Sequence, residues 1–170
     1  SESKSVSVFA NDSAFVRKWG SQGTGQGEFD YPFGVAVDGE HVYVADWNNN
    51  RVQVFTKAGV YVRSLGVGEG EQGALRTPYG VAMDAGQVYI SNQGSHSVSV
   101  YSKSGTFVRK WGSFGSSDGQ FLDPQGVAVG DCANGSENKL RMFSKFIDAN
   151  YTNTSVLTGF QFSNLTINTL

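Results

Sequence analysis

A step of 46 residues governs this chain. FVRKWG at residues 15–20 returns as YVRSLG at 61–66 and as FVRKWG at 107–112. Pro32, Pro78 and Pro124 keep the same step, and so do GVAVD at 34–38, GVAMD at 80–84 and GVAVG at 126–130. A repeat of about 20 to 50 residues makes a chain an array of one supersecondary unit, which buries its apolar faces only by stacking on its neighbours. The 170 residues hold about 3.7 such units.

Within the unit the apolar residues alternate. SVSVF at 5–9, RVQVF at 51–55 and SVSVY at 97–101 each read as a strand with one buried face. Phe15 to Trp19 reads as an outer strand, whose Arg17 and Lys18 discourage pairing with another edge. Residues 34–37 are nearly all apolar, as expected of a short strand covered on both faces. Asp38, Gly39 and Glu40 then make a hairpin turn, residues 41–45 run back, and residues 46–50 turn again into Arg51. With 22 glycines, only 3 prolines and many Val and aromatic residues, the chain reads as all-β. Four strands joined by local hairpins, followed by a long glycine-rich connector, make the blade of a β-propeller.

The connectors at 20–32, 66–78 and 112–124 carry Phe29, Leu75 and Phe121 as apolar anchors, and Trp19, Leu65 and Trp111 read as structural anchors between blades. Gly23, Gly25 and Gly27 imitate a phosphate cradle. No Lys-Ser/Thr follows them, and the copies are expected not to keep the spacing. Asp46, Asn48 and Asn50 imitate the start of a calcium loop, but Arg51 stands where the loop needs glycine, so turn hydrogen bonds are expected there. The two histidines, His41 and His96, sit at turns with no nucleophile assigned to them. No catalytic residue, metal site or cofactor is expected.

The pattern Pro-x-Gly-Val-Ala-Val-Asp, then Val-Tyr-Val-Ala-Asp, then Asn-Arg-Val-Gln-Val-Phe resembles the NHL repeat family of propellers over residues 5–129. The first unit carries Pro32, Gly34, Asp38, Tyr43, Asp46, Asn50 and Arg51; the second keeps Pro78, Gly80, Asp84 and Tyr89 but has Asn92, His96 and Ser97 at the last three matching positions. The expected division is an outer half-blade at 1–19, NHL blades at 20–65 and 66–111, a degenerate partial blade at 112–145 and a divergent tail at 146–170. Residues 139–145 resemble the third strand at 97–103 but come four residues early, as if one strand were lost. A ring needs about 4 to 8 blades, so closure is expected to require further blades of a parent chain or self-association.

Phe33, Tyr79 and Gln125 each precede an innermost strand and are expected at the mouth of the central channel. Tyr31, Trp47, Asn48, Gln93 and Ser95 belong to loops expected on the same face, where aromatic and polar groups suit a binding surface. The resemblance implies a non-catalytic protein-interaction module, such as the substrate-recognition propeller of tripartite-motif ubiquitin ligases. It also admits a face for single-stranded RNA, or a fragment of a peptide-amidating lyase. A charged fraction of 16% and a net charge of -2 give no bulk cationic field for nucleic acid or an acidic membrane. The single Cys132 forms no internal disulfide, and no run approaches the roughly 18 apolar residues of a membrane span. The chain starts without Met or a signal-like segment and is expected to be a piece of something longer. Sequons at Asn11, Asn134, Asn150, Asn153 and Asn164 would permit an extracellular place, though a cytoplasmic one is preferred.

Overall fold

The computed structural model describes residues 4–67, 73–131 and 138–144; the expected tail at 146–170 and the sequons at Asn134, Asn150, Asn153 and Asn164 lie outside them. Every regular element among the described residues is a strand. Two whole sheets carry the 46-residue unit. The first is the meander β5 (Pro32–Val37), β6 (His41–Asp46), β7 (Arg51–Thr56) and β8 (Tyr61–Leu65), and the second is β9 (Pro78–Met83), β10 (Gln87–Asn92), β11 (Ser97–Ser102) and β12 (Phe107–Trp111). They are flanked by a two-stranded sheet of β1 (Val6–Phe9) and β2 (Phe15–Trp19) and another of β13 (Pro124–Asp131) and β14 (Asn138–Ser144). A short parallel pair, β3 (Ser21–Gln22) and β4 (Glu28–Phe29), folds the first connector, and a Phe114–Phe121 bridge does the same in the third. The chain is thus an all-β partial propeller built of four-stranded antiparallel blades.

Register repeats with the sequence. The outer hairpin of each blade carries an irregularity at Val8/Phe9, Val54/Phe55 and Val100/Tyr101. An aromatic pair closes it each time. Phe9–Phe15, Phe55–Tyr61 and Tyr101–Phe107 meet edge to face at 5.9, 6.0 and 5.7 Å. Such pairs add about 0.5–1.5 kcal/mol beyond the area they bury. The inner hairpins repeat as well. Asp38 Oδ1 accepts the amides of Glu40 and His41 at 2.8 and 2.7 Å, and Asp84 Oδ1 accepts those of Gly86 and Gln87 at the same distances.

The innermost strands explain the Pro-x-Gly motif. A Cβ on Gly34 would lie 2.3 Å from the Tyr79 carbonyl oxygen, and one on Gly80 2.4 Å from that of Gln125. Successive blades meet backbone to backbone here, an approach that only glycine allows. Between the blades the core runs through Tyr43, Ala45, Val52, Val54 and Leu65 of the first sheet to Val81, Val88 and Ile90 of the second. Phe29 is fully buried and Leu75 nearly so, which makes both the pins expected of the connectors.

Two local readings change. The inner strand of the first blade is not covered on both faces: Val35 and Val37 are 56% and 57% exposed, whereas Val81, one unit later, is 7% exposed because the first blade covers it. Residues 138–144 do not take the third-strand position that their sequence resembles. They pair directly with β13, placing Val127 opposite Met142 and Val129 opposite Leu140, just as Val81 faces Ile90 and Met83 faces Val88. They therefore occupy the second position. The 23-25-27 spacing is indeed not kept, since Ser117 stands where Gly25 does, but the first and third connectors share another set: Gly20, Gly23 and Gly27 have φ of 100°, 154° and 78°, and Gly112, Gly115 and Gly119 have 96°, 150° and 76°. The shared turn conformation follows this 20-23-27 spacing. Phe29 lies against Gly20, and Phe121 against Gly112, at distances a Cβ would violate.

Candidate functional site

Two kinds of loop meet where the inner strands begin. One comprises the connector ends at 30–32, 76–78 and 122–124, and the other the turns at 46–50 and 92–96. Tyr31, Thr77 and Asp123 all hold positive φ, at 56°, 42° and 48°. Side chains one blade back secure the second and third of them. Asn50 Oδ1 accepts the Thr77 amide at 2.7 Å, and His96 Nδ1 accepts the Asp123 amide at 3.2 Å. His96 thus does for its junction what Asn50 does for the one before, and its ring lies edge-on to Phe114 at 4.9 Å. His41 belongs to the other end of the strands. There it stands beside Asp38 in a cleft of about 520 Å³ whose Lys103 and Asp38 are paired at 3.1 Å.

On the face so framed, four of the expected residues form one aromatic cluster. Phe33 and Tyr79, one unit apart, stack at 4.5 Å with their planes 13° from parallel. Trp47 meets Phe33 edge-on at 6.0 Å and Tyr31 at 6.2 Å. Its indole Nε1 donates to Gln93 Oε1 at 2.9 Å, which joins equivalent turn positions of consecutive blades. Asn48 donates to the Asp30 carboxylate beside this cluster. Phe33 and Tyr31 remain 47% and 45% exposed. Lys4, which the sequence reading did not single out, places its ammonium 3.2 Å from the Tyr31 ring centroid. The signal was available, because Lys4 occupies the position of Asn50 and His96 in the preceding unit.

Two expected residues fall outside the cluster. Ser95 shares a hydrogen bond of 2.8 Å with Ser97 within the turn. Gln125 contributes its main-chain oxygen, which accepts from Ser91 Oγ at 2.8 Å.

Beneath the face, Asp46 organises the first blade. Its carboxylate is fully buried and accepts the Asp30 amide at 2.7 Å, Arg51 Nε at 2.8 Å, Asn49 Nδ2 at 3.0 Å and Gln53 Nε2 at 3.2 Å. Arg51 and Gln53 in turn donate to the Glu28 carbonyl, and Arg51 also to that of Gly25, so the cluster grips the connector. Of the three residues that imitated a calcium loop only Asp46 belongs to this clamp, since Asn48 donates to Asp30 and Asn50 accepts the Thr77 amide. The Asp46 carboxylate is occupied by amide and guanidinium donors.

The comparisons with known proteins agree with this geometry. Residues 29–55, which span the clamp and the inner hairpin, match the family model described as NHL repeat. No curated protein is detectably similar in sequence. Among solved structures, the chain superposes on virginiamycin B lyase from Staphylococcus aureus with a TM-score of 0.54 and 11% identity over 76% of this chain and 40% of that one. Kuenenia stuttgartiensis hydrazine synthase gives 0.53 and 16% over 82% and 39%, and a streptogramin B lyase 0.51 and 15% over 82% and 45%. At such identities the likeness is one of fold, and the chain spans less than half the length of these three propeller proteins.

Proposed function

We propose that this chain is a non-catalytic segment of an NHL-type propeller whose aromatic face recognises a protein partner as an extended peptide segment. The observation that carries this reading is the cluster of Phe33, Tyr79, Trp47 and Tyr31, held together yet partly open to solvent. Aromatic rings fixed by their neighbours offer contact area at little entropic cost, and the polar rim of Gln93 and Asn48 supplies adaptable hydrogen bonds. The position of the two histidines supports a role without catalysis: His96 accepts a main-chain amide at a blade junction, and His41 lies at the far end of the strands. In a parent chain of the ubiquitin-ligase kind, this face would select the substrate.

Peptide display on the 170-residue chain tests the reading. Selected peptides are expected to bind wild type and to lose at least about tenfold in affinity to a Phe33→Ser/Tyr79→Ser variant. Peptides indifferent to that variant would contradict it. Tight binding of single-stranded RNA with a steep salt dependence would favour the nucleic-acid reading instead.

A further inference from the structure

The seam between the two whole blades carries a second cleft, at the end of the strands opposite the aromatic face, and we infer that it binds a carboxylate between Arg63 and Lys103. Its walls are the inner hairpin of the first blade from Asp38 to His41, the outer strand of that blade at Arg63, and the outer turn of the second blade at Lys103. Both blades are complete four-stranded sheets, so strands frame the seam on each side.

Register brings the donors together. Tyr43 pairs with Val54, and Val54 with Arg63, so the two side chains stand in one row across the sheet. They face the second blade: Tyr43 belongs to the core shared with Val81 and Val88, and a Cβ on Gly105 would lie 3.5 Å from Arg63 Cδ. In the second blade the matching tyrosine is satisfied, because Tyr89 donates its hydroxyl to Asp84 Oδ2 at 2.8 Å. In the first blade that acceptor is taken. Asp38 Oδ1 accepts the amides of Glu40 and His41, and Asp38 Oδ2 faces the Lys103 ammonium from across the seam at 3.1 Å. Tyr43 is fully buried, and its hydroxyl lies near enough to Asp38 and Arg63 to feel both charges, yet it meets neither at hydrogen-bonding geometry. Arg63 Nε is buried and unpaired among the described residues as well.

A buried donor without an acceptor is costly. Two of them at one cleft, an O–H and an N–H, call for an acceptor. A carboxylate suits them best, since its two oxygens match the planar guanidinium. Glu40 stands exposed on the rim and Asp38 is held by Lys103, so a monoanion is accommodated where a phosphate dianion would meet two like charges more strongly.

Titration of the 170-residue chain with sodium acetate, against sodium chloride at matched ionic strength, tests this through the Arg63 Nε–H and Ser104 amide resonances. Acetate is expected to shift both along one saturating curve with a dissociation constant on the order of 10 mM, and phosphate to bind at least about fivefold more weakly. Arg63→Gln, read at Ser104, should lower acetate affinity about tenfold, and Tyr43→Phe, which keeps the ring in the core and removes only the hydroxyl, about threefold. Tighter binding of a blocked peptide carrying one glutamate would assign the carboxylate to a protein side chain, and equal or weaker binding to a free small acid; either result keeps the site. A response that chloride reproduces, tighter binding of phosphate, or an affinity unchanged in Arg63→Gln overturns the proposal. Should Arg63→Gln fail to fold, an affinity unchanged in Tyr43→Phe overturns it instead.

Discussion

The two whole blades share a backbone and differ in how they are fastened inside. In the first, the buried Asp46 carboxylate gathers Arg51, Gln53, Asn49 and the Asp30 amide, and the same donors hold the connector. In the second, the counterparts are Asn92, Ser97, Ser99 and Ser95. Asn92 Nδ2 donates to Ser99 Oγ at 3.0 Å, and Asn92 Oδ1 accepts the Arg76 amide at only 3.4 Å. Tyr101, which replaces Phe55, instead donates its hydroxyl to the Gly73 carbonyl. The hairpin aspartates, the inner glycines and the outer aromatic pairs are common to both blades. What specifies the blade is therefore backbone approach and apolar register, whereas the polar interior can be charged or neutral so long as its groups are satisfied.

The sharpest way to break this comparison is to remove the two central side chains. Asp46→Ala should cost about 3–5 kcal/mol, because it leaves a partly buried Arg51 without its carboxylate. Asn92→Ala should cost about 1–2 kcal/mol, the range for hydrogen bonds between neutral groups. Equal losses in urea unfolding would show that the charged and neutral interiors do the same work. By contrast, Gly34→Ala and Gly80→Ala should destabilise alike, each by about 2–3 kcal/mol, since both force a methyl group against the next blade's backbone. Unequal losses would remove the shared axis from the account.

Acid should distinguish the blades more gently. Burial raises the pKa of Asp38, but the amides of Glu40 and His41 and the Lys103 ammonium outweigh it and hold the carboxyl at about 2. A depressed carboxylate contributes stability above its unfolded pKa of about 3.9 and loses it as pH falls through the folded value. After discounting for solvent screening, on the order of 1 kcal/mol should therefore disappear between pH 4 and pH 2. In Asp84, burial is likewise outweighed by two amides and the Tyr89 hydroxyl, so its shift is also downward. Chemical denaturation with an Asp38→Asn variant should flatten most of the slope in that window. The smallest effect belongs to the junctions. His96→Asn should change stability by no more than about 0.5 kcal/mol, since Asn50 already performs that task one blade earlier.

The blade was legible because its signals are local. A constant step, alternating apolar residues and turn residues fix strand order and hairpins without knowledge of anything distant. The aromatic face was legible for the same reason: Phe33 and Tyr79 share a phase of the repeat, so stacking follows from blade adjacency. What escaped depends on partners in other units. Exposure of Val35 and Val37 reflects which strands lie over them, and the position of β14 was hidden because its residues resemble a third strand while its pairing follows β13. Lys4 on Tyr31 was missed since residues 1–9 hold only the end of the repeat, without the inner-strand motif that marks the turn. The clamp around Asp46 was read as turn hydrogen bonding, but its grip on a connector about 20 residues earlier follows only from the folded approach of Gly25 and Glu28.

Amide hydrogen exchange on the intact chain addresses the fastening of the blades most directly, by comparing Asp30 with Arg76, the same position one unit apart. Donation to the buried Asp46 carboxylate at 2.7 Å should make the Asp30 amide exchange at least about tenfold more slowly than that of Arg76, whose acceptor is the Asn92 amide oxygen at 3.4 Å. Equal protection, or faster exchange at Asp30, would contradict the account.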